Sequence, residues 1–212
     1  MKLMVNGFEA HVATGGKKFD KNLPTVLFLH GSGLDHRSWA LQTRWFAYNG
    51  FGVLAPDFPG HSLSEGAPCA TIEDSGEWLA DFLDAMGVRD AHVVGHSQGF
   101  LSALELSKLK PTAVKSLIGV GTAAAIPVNP MLIETAGQSP MTAADLMLQW
   151  GFGHQTHMGV SATPGMQPIA IGRQIMGHNP LAVHLPCCDA FCGGVDAVWL
   201  LILPSAHMLG RP

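Results

Sequence analysis

The chain has 212 residues, of which 47% are hydrophobic and 13% are charged, and its formal net charge is −4. This length suits one sizeable domain with a buried core, and the absence of any basic block disfavours nucleic-acid binding. No apolar run reaches the ~18 residues of a membrane-spanning helix, and the N-terminus lacks the apolar stretch of a signal peptide. We therefore expect a cytoplasmic protein that binds neither nucleic acid nor a membrane.

Apolar strands alternate with amphipathic helices over the first two-thirds of the chain. This alternation is typical of an α/β fold with a mostly parallel sheet and helices on both faces. An early strand or hairpin arm is predicted over residues 3–13. Short apolar runs over residues 25–29, 52–55 and 91–94 are typical of strands buried on both faces, and a further strand is predicted over residues 114–120.

Helices are predicted between these strands. The first is expected over about residues 38–48. The second follows Thr71, whose side chain can cap it, and ends at Gly87. The third continues to about Lys110, where Pro111 stops it because proline cannot continue a helix.

The composition changes after about Ala125. Residues 126–185 are rich in Met, Pro and Gly with short helical patterns, and residues 198–203 are one last strand-like run. We predict a core over residues 1–125, a helical cap over residues 126–185 and a remnant of the C-terminal core over residues 186–212. A cap that only packs on the core is the alternative to one that forms a substrate pocket; its position directly after a core strand favours the pocket.

The strongest motif is the pentapeptide Gly95-His96-Ser97-Gln98-Gly99, between a predicted buried strand and a predicted helix. Strand, sharp turn and helix are the context of a nucleophile elbow, in which the serine has a strained backbone. Small residues two positions before and after the serine prevent clashes, and the helix N-terminus favours negative charge there. We predict that Ser97 is a nucleophile, with a plain glycine–serine turn as the alternative.

A second glycine motif, HGSG over residues 30–33, follows the first buried strand. Acyl transfer requires two preorganised N–H donors that stabilise an oxyanion. The backbone N–H groups of Gln98 and Ser32 are the predicted donors of this oxyanion hole; a glycine turn with a structural histidine is the alternative. Four residues are expected to support the two motifs: His30, Gly31, Gly95 and Gly99.

A third motif, DFPGHSLS, begins at Asp57 and follows the next strand. No direct catalytic role is expected for it. Asp57 and His61 are expected to fix this loop by hydrogen bonds.

The order of these three motifs on successive strands resembles the α/β-hydrolase superfamily, in its serine esterase-like branch with a helical cap. The resemblance covers about residues 20–125 by motif and continues through the cap only by layout. It implies an α/β-hydrolase sheet, a serine nucleophile and no cofactor. Haloalkane dehalogenases and epoxide hydrolases are similar in pattern but use aspartate at the position of Ser97.

The family implies an acid and then a histidine after the serine, yet only one strand is predicted after the cap. In the slightly favoured interpretation, this strand is the one that carries the acid in the family. His207 then occupies the position of the acid, and the family's last strand, last helix and catalytic histidine are missing. In the other, residues 205–212 resemble the histidine loop and His207 is the general base. No acid is well placed: Asp189 and Asp196 lie between the cap and the last strand, before the expected position, and Glu134 and Asp145 lie in the cap.

A cysteine cluster precedes the last strand. Its pattern, His184-x-x-Cys187-Cys188-x-x-x-Cys192, matches none of the paired spacings of zinc sites. We therefore predict no metal site.

Two functions remain open. The first is a serine hydrolase that cleaves carboxylic esters of small apolar or aromatic substrates through Ser97, with His207 as its base. The cap residues that suggest such substrates are Met131, Met141, Met147, Leu148, Trp150, Phe152, Met158 and Met166. The second is a truncated or inactive hydrolase-fold protein that acts as a binding or dimerisation module. A missing last strand would leave an open sheet edge, through which we expect a homodimer.

Overall fold

The computed structural model describes residues 1–159, 161 and 165–179, and the backbone of residues 201–204. Its strands are β1 (Lys2–Val5), β2 (Phe8–Ala13), β3 (Thr25–Leu29), β4 (Gly52–Pro56), β5 (Ala91–His96), β6 (Val114–Val120) and β7 (Leu201–Pro204). Its helices are α1 (Ala40–Tyr48), α2 (Ile72–Met86), α3 (Gln98–Leu109), α4 (Pro130–Gln138), α5 (Pro140–Gly151), α6 (His154–His157) and α7 (Pro168–Met176). The strands form one sheet in the order β1-β2-β4-β3-β5-β6-β7.

Parallel strands form the centre of this sheet. β4, β3, β5 and β6 run in the same direction, so their carboxyl ends lie at one end of the sheet. The β1–β2 hairpin joins β4 in antiparallel fashion, and β7 pairs antiparallel with β6. The predicted α/β fold with a parallel central sheet is confirmed.

Alternating side chains of β3 contribute to two separate layers of the core. Val26 and Phe28 pack on one face, in a cluster with Trp39 and residues of α1. Leu27 and Leu29 pack on the other face, in a cluster with residues of α2 and α3. Each large apolar side chain buried in this way contributes about 1.5–3 kcal/mol. This double burial explains the continuous apolar run of β3 and confirms helices on both faces.

Local sequence signals set the ends of α2. The Thr71 hydroxyl accepts a hydrogen bond from the Asp74 N–H, and the Asp74 carboxylate accepts one from the Thr71 N–H, both at 3.0 Å. Gly87 ends the helix in the left-handed conformation, with φ 64°. These are the ends that the sequence predicts.

The first helix begins later than predicted. Asp35 caps a 3-10 turn over His36–Trp39 by accepting a hydrogen bond from the Arg37 N–H. α1 therefore begins only at Ala40.

The direction of β7 matters for the site. Leu201 pairs with Gly119, and Pro204 pairs with Ser116 near the start of β6. Pro204 therefore lies at the end of the sheet opposite to the carboxyl ends of the parallel strands. A strand that delivers a catalytic side chain to those carboxyl ends would run parallel to β6 instead.

Between β6 and Asn179, in the region predicted as a cap, the described residues form four helices and no strand. They share a small apolar core formed by Leu132, Ala136, Ala143, Ala144, Leu148 and Met176. The side chain of Leu34, from the loop after β3, packs against this core. None of the helices in the described ranges combines the length and the apolar character that crossing a bilayer requires.

Candidate active site

Ser97 lies between β5 and α3, at the carboxyl end of the parallel strands. Its backbone has φ 51° and ψ −121°, a conformation that residues other than glycine rarely adopt. The Ser97 N–H donates to the carbonyl of Val120 at 3.2 Å, and the Ser97 carbonyl accepts a hydrogen bond from the Thr122 hydroxyl at 3.0 Å. These neighbours hold the strained turn in which a nucleophilic serine is typically presented.

Two glycines let the backbone approach itself closely around Ser97. A Cβ atom at Gly95 would lie 2.4 Å from the Cα of Phe100. One at Gly99 would lie 2.5 Å from the carbonyl oxygen of His30. Any side chain at these positions would overlap backbone atoms, so the spacing of the motif has a steric cause. The contact at Gly99 also places α3 directly against the loop of residues 30–33.

His30 joins this loop to the loop after β4. Its Nε2 accepts a hydrogen bond from the Phe58 N–H at 3.1 Å, and its Nδ1 lies 3.0 Å from the carbonyl oxygen of Gly31. Because Nε2 is an acceptor, the neutral ring carries its proton on Nδ1 and donates it to Gly31. Burial lowers the pKa of His30, although Gly31 and nearby carboxylates oppose the shift. This buried, neutral ring has a structural role.

Two backbone N–H groups, one at the elbow and one in the loop of residues 30–33, lack an acceptor within the part of the chain that the structure describes: those of Gln98 and Ser32. Gln98 is the first residue of α3, where an N–H has no partner inside the helix. Ser32 lies in the loop that touches Gly99. The side-chain atoms Ser32 Oγ and Gln98 Oε1 are also buried without a partner among these residues. The site therefore offers donors of the kind that an oxyanion requires.

The ring of His96 lies between two glycines. Its Nδ1 would lie 2.7 Å from a Cβ atom at Gly31, and its Nε2 would lie 3.5 Å from one at Gly121. Burial, and to a smaller extent the neighbouring His30, lower the pKa of His96. Among the described residues, no group forms a hydrogen bond with its buried Nδ1. The neutral ring fills the space between the two loops.

Asp57 joins three segments of the chain. Its buried carboxylate accepts a hydrogen bond from the His36 N–H at 2.8 Å, and the Nδ1 of His36 lies 2.8 Å from Oδ1. The Nδ1 of His11 lies 3.1 Å from Oδ2. Burial lowers the pKa of His11, although Asp57 opposes the shift. His61 also fixes this loop, since its Nδ1 lies 2.9 Å from the carbonyl oxygen of Pro59.

Comparison with known proteins identifies the family. A family model described as the alpha/beta hydrolase fold matches residues 24–152, more than half of the chain and including Ser97. The chain belongs to the α/β-hydrolase fold family. The parallel sheet, the elbow after β5 and the glycine loop after β3 are thus parts of an α/β-hydrolase fold.

Two curated relatives and one solved structure show what this α/β hydrolase resembles. It is 37% identical over 94 residues to the dihydrolipoyllysine-residue acetyltransferase component of the acetoin cleaving system of Cupriavidus necator, covering 44% of this chain and 25% of that protein. It is 29% identical over 121 residues to epoxide hydrolase 2 of Siraitia grosvenorii, covering 56% of this chain and 37% of that protein. The enol-lactonase of Burkholderia xenovorans LB400 is similar in structure, with a TM-score of 0.75 and 23% identity over 90% of this chain and 73% of that chain.

These relatives share the fold but differ in the reactions that their names describe. The chain spans a quarter and somewhat over a third of the length of the two curated relatives. The names of these relatives therefore do not identify a reaction of this chain.

Asn179, which follows α7, links the helices of the predicted cap to the loops at the site. Its buried Nδ2 donates to the carbonyl oxygens of Gly33 at 3.1 Å and Leu34 at 3.2 Å. Its Oδ1 accepts a hydrogen bond from the Ser62 N–H at 2.7 Å. Asn179 and Gly33 are 146 residues apart in sequence, so no local pattern signals this contact. Sequence reasoning missed it.

Several of the apolar cap residues expected beside the substrate pack inside the cap. Leu148 is buried in the cap core, and Met147 and Phe152 pack against that core. The others are exposed or half-buried: Met131, Met141, Trp150, Met158 and Met166. For Leu148, Met147 and Phe152, packing within the cap is the observed role.

Among the described residues, no side chain forms a hydrogen bond with the Ser97 hydroxyl. Two of the acids considered from the sequence have other partners: Asp145 pairs with Arg173 at 2.7 Å, and Glu134 accepts a hydrogen bond from Gln138 at 3.2 Å. Outside the described residues lie His207, Asp189, Asp196, His184, Cys187, Cys188 and Cys192. The general base thus stays a prediction.

Proposed function

We propose that this α/β hydrolase cleaves carboxylic esters through an acyl-enzyme formed on Ser97. The observation that carries the proposal is the strained Ser97 together with the unengaged N–H groups of Gln98 and of Ser32 in the HGSG loop. One such donor typically contributes about 2.7–4 kcal/mol to the stabilisation of an acyl-transfer transition state. Serine also separates this site from the aspartate-nucleophile branches, although one relative is named an epoxide hydrolase.

The reaction proceeds in two steps. Ser97 Oγ attacks the ester carbonyl carbon, and the oxyanion accepts hydrogen bonds from the N–H groups of Gln98 and Ser32. A base takes the hydroxyl proton and passes it to the leaving alcohol, which leaves an acyl group on Ser97. Water then attacks this acyl-enzyme, releases the acid and restores the serine hydroxyl. We assign the base to His207 from the sequence alone, since β7 ends at Pro204, at the end of the sheet opposite to Ser97.

A fluorophosphonate probe tests the nucleophile directly, because it reacts with an activated serine hydroxyl. Wild-type protein is expected to gain the mass of one probe adduct at Ser97, and Ser97→Ala is expected to gain none. Ser62→Ala is the matched control, since Ser62 also has a positive φ of 47° but lies in another loop. Labelling of Ser97→Ala at the wild-type rate would refute the proposal.

Substitution of His207 tests the base. Removal of a triad base typically lowers kcat by several orders of magnitude, about 10³–10⁶-fold. His207→Gln is expected to show a loss of that size in p-nitrophenyl acetate hydrolysis, with Ser97 still present. His178→Gln, which changes an exposed histidine of the cap, serves as the control. Full activity of His207→Gln would assign the base to another residue.

The proposed substrates have small apolar or aromatic acyl groups. The support is the set of apolar cap side chains that do not pack in the cap core, such as Met131 and Trp150. Methionine side chains adapt to acyl groups of different shapes. Across p-nitrophenyl acetate, butyrate, benzoate and octanoate, kcat/KM is expected to be highest for the shorter and aromatic esters. A steady rise to octanoate would contradict this substrate class.

A second function is favoured by one specific observation: the Ser97 hydroxyl has no base among the described residues. In this alternative the protein is an inactive hydrolase-fold module that binds ligands or forms a homodimer through an edge strand, β1 or β7. Such a protein would fail to label at Ser97 and would elute as a dimer in size-exclusion chromatography with light scattering. Ser97-dependent labelling would exclude an inactive site.

A further inference from the structure

Two imidazoles and one carboxylate converge outside the proposed oxyanion hole. His11 lies on β2, His36 lies in the turn after β3, and Asp57 follows β4. The Nδ1 of His36 lies 2.8 Å and 2.9 Å from the two carboxylate oxygens of Asp57, and the Nδ1 of His11 lies 3.1 Å from Oδ2. The two rings are tilted against each other with centroids 4.4 Å apart. Three segments distant in sequence thus bring one donor atom each to within 4.8 Å of the others.

The spacing of these atoms is close to that of a metal coordination shell. The three donor atoms all lie within 4.8 Å of one another. Metal–nitrogen and metal–oxygen bonds of about 2.0–2.2 Å place neighbouring ligand atoms about 2.8–3.6 Å apart in octahedral or tetrahedral geometry. The nitrogen–oxygen distances of 2.8–3.1 Å already fall in this range, and the two Nδ1 atoms, which lie within 4.8 Å of each other, approach on binding.

Burial also suits a bound cation. The Asp57 side chain has no solvent exposure, whereas the side chains of His11 and His36 retain 19% and 18%. A buried carboxylate charge requires compensation by hydrogen bonds, a cation or a metal ion. Asp57 also accepts the His36 backbone N–H at 2.8 Å and, more weakly, that of Leu63 at 3.5 Å. Release of the two Nδ1–H hydrogen bonds frees acceptor positions on its oxygens for a metal, and the partly exposed rings leave a side open to solvent.

We propose that His11, His36 and Asp57 form a binding site for one divalent transition-metal ion. Two histidines and one carboxylate are a ligand set that suits zinc, iron and similar ions. On binding, each imidazole gives up its Nδ1–H hydrogen bond to Asp57, presents the Nδ1 lone pair to the metal and carries its proton on Nε2 instead. The metal joins β2, the turn after β3 and the loop after β4, next to the HGSG loop.

Calorimetric titration of the untagged protein with Zn²⁺ tests this site. Loss of a residue that only hydrogen-bonds to a metal ligand weakens metal binding about 10–100-fold. Because His11 and His36 are proposed as ligands themselves, His11→Gln and His36→Gln are each expected to weaken the binding of one Zn²⁺ ion at least tenfold. His92→Gln is the matched control, because His92 is a half-buried histidine whose Nδ1 bonds only the Ser116 hydroxyl at 2.8 Å. The triple variant Cys187→Ser, Cys188→Ser and Cys192→Ser, titrated in parallel, is expected to keep this equivalent.

A second readout uses the wild-type protein alone and so does not depend on the variants folding. Saturating Zn²⁺ is expected to raise the melting temperature, and a chelator is expected to return it to the starting value. Zn²⁺ binding that is equal in wild type, His11→Gln and His36→Gln would overturn the proposal. The absence of saturable binding by wild-type protein up to about 1 mM Zn²⁺ would overturn it as well.

Discussion

The backbone around Ser97 and the helices of the cap use glycine in different ways. At Gly95 and Gly99 an added Cβ would lie 2.4–2.5 Å from backbone atoms of neighbouring segments. At Gly137 and Gly151, in α4 and α5, an added Cβ would meet no atom within 4 Å. Close packing of the main chain therefore fixes the elbow, whereas the cap depends on side-chain contacts in a small apolar core. Substitutions should affect the two regions differently.

The largest expected effect tests this steric contrast. Gly99→Ala forces a Cβ against the carbonyl oxygen of His30, and such overpacking against backbone is expected to lower the free energy of unfolding by about 3 kcal/mol. Gly137→Ala is the matched control in α4, where alanine is expected to raise it by about 0.5–1 kcal/mol. Urea unfolding followed by circular dichroism measures both. Equal effects of the two substitutions would remove the contrast between elbow and cap.

The next effect concerns the connection between the two regions. Asn179→Leu leaves the Ser62 N–H and two loop carbonyls without partners, which is expected to cost about 2–3 kcal/mol. Because the contact lies at the junction, hydrogen exchange should rise in α7 and in the loops beginning at Gly33 and Ser62, and less in the central strands. His178→Ala, at the neighbouring exposed position, serves as the control. Faster exchange spread evenly through the sheet would show that Asn179 supports the whole fold instead.

A third effect depends on pH and concerns two buried histidines near the elbow. Burial lowers the pKa of His30 and His96, so the unfolded chain binds more protons than the folded one below the ordinary histidine pKa of about 6.5. Stability is therefore fully present above that pH and falls as the pH decreases toward 5. Each such group contributes at most about 1.4 kcal/mol per pH unit.

Melting temperatures between pH 7.5 and 5 measure this effect. The decrease is expected to be smaller in His96→Gln than in wild type, because one buried neutral histidine is removed. His178→Gln is expected to keep the wild-type slope, since His178 is exposed. A wild-type slope in His96→Gln would show that His96 does not contribute.

The sequence predicted those parts of the site that local geometry determines. A sharp turn between strand and helix requires small residues two positions either side of Ser97, and the contacts of Gly95 and Gly99 show why. The helix cap at Thr71 could be predicted for the same reason, since Thr71 and its partner Asp74 lie within one turn.

Contacts between segments that are distant in the sequence could not be predicted in the same way. His11 meets Asp57 across 46 residues, and Asn179 meets Gly33 across 146. Each partner alone has no local pattern that marks it, because hydrophobic periodicity reports which face is buried and not which segment covers it. The antiparallel direction of β7 was missed for the same reason. The role of His207 stays a prediction.

The smallest expected effect isolates the strain at Ser97. A φ of 51° with ψ −121° costs a non-glycine residue about 1–3 kcal/mol. Glycine removes this strain, but the greater conformational freedom of glycine in the unfolded chain lowers the stability by about 0.5–1 kcal/mol. Ser97→Gly is therefore expected to raise the free energy of unfolding by about 1 kcal/mol, whereas Ser97→Ala keeps the strain and should stay near wild type. Both variants lose the nucleophile, so only the backbone term distinguishes them in urea unfolding. Equal stabilities would mean that the elbow holds Ser97 without strain, and the steric contrast with the cap would then rest on Gly95 and Gly99 alone.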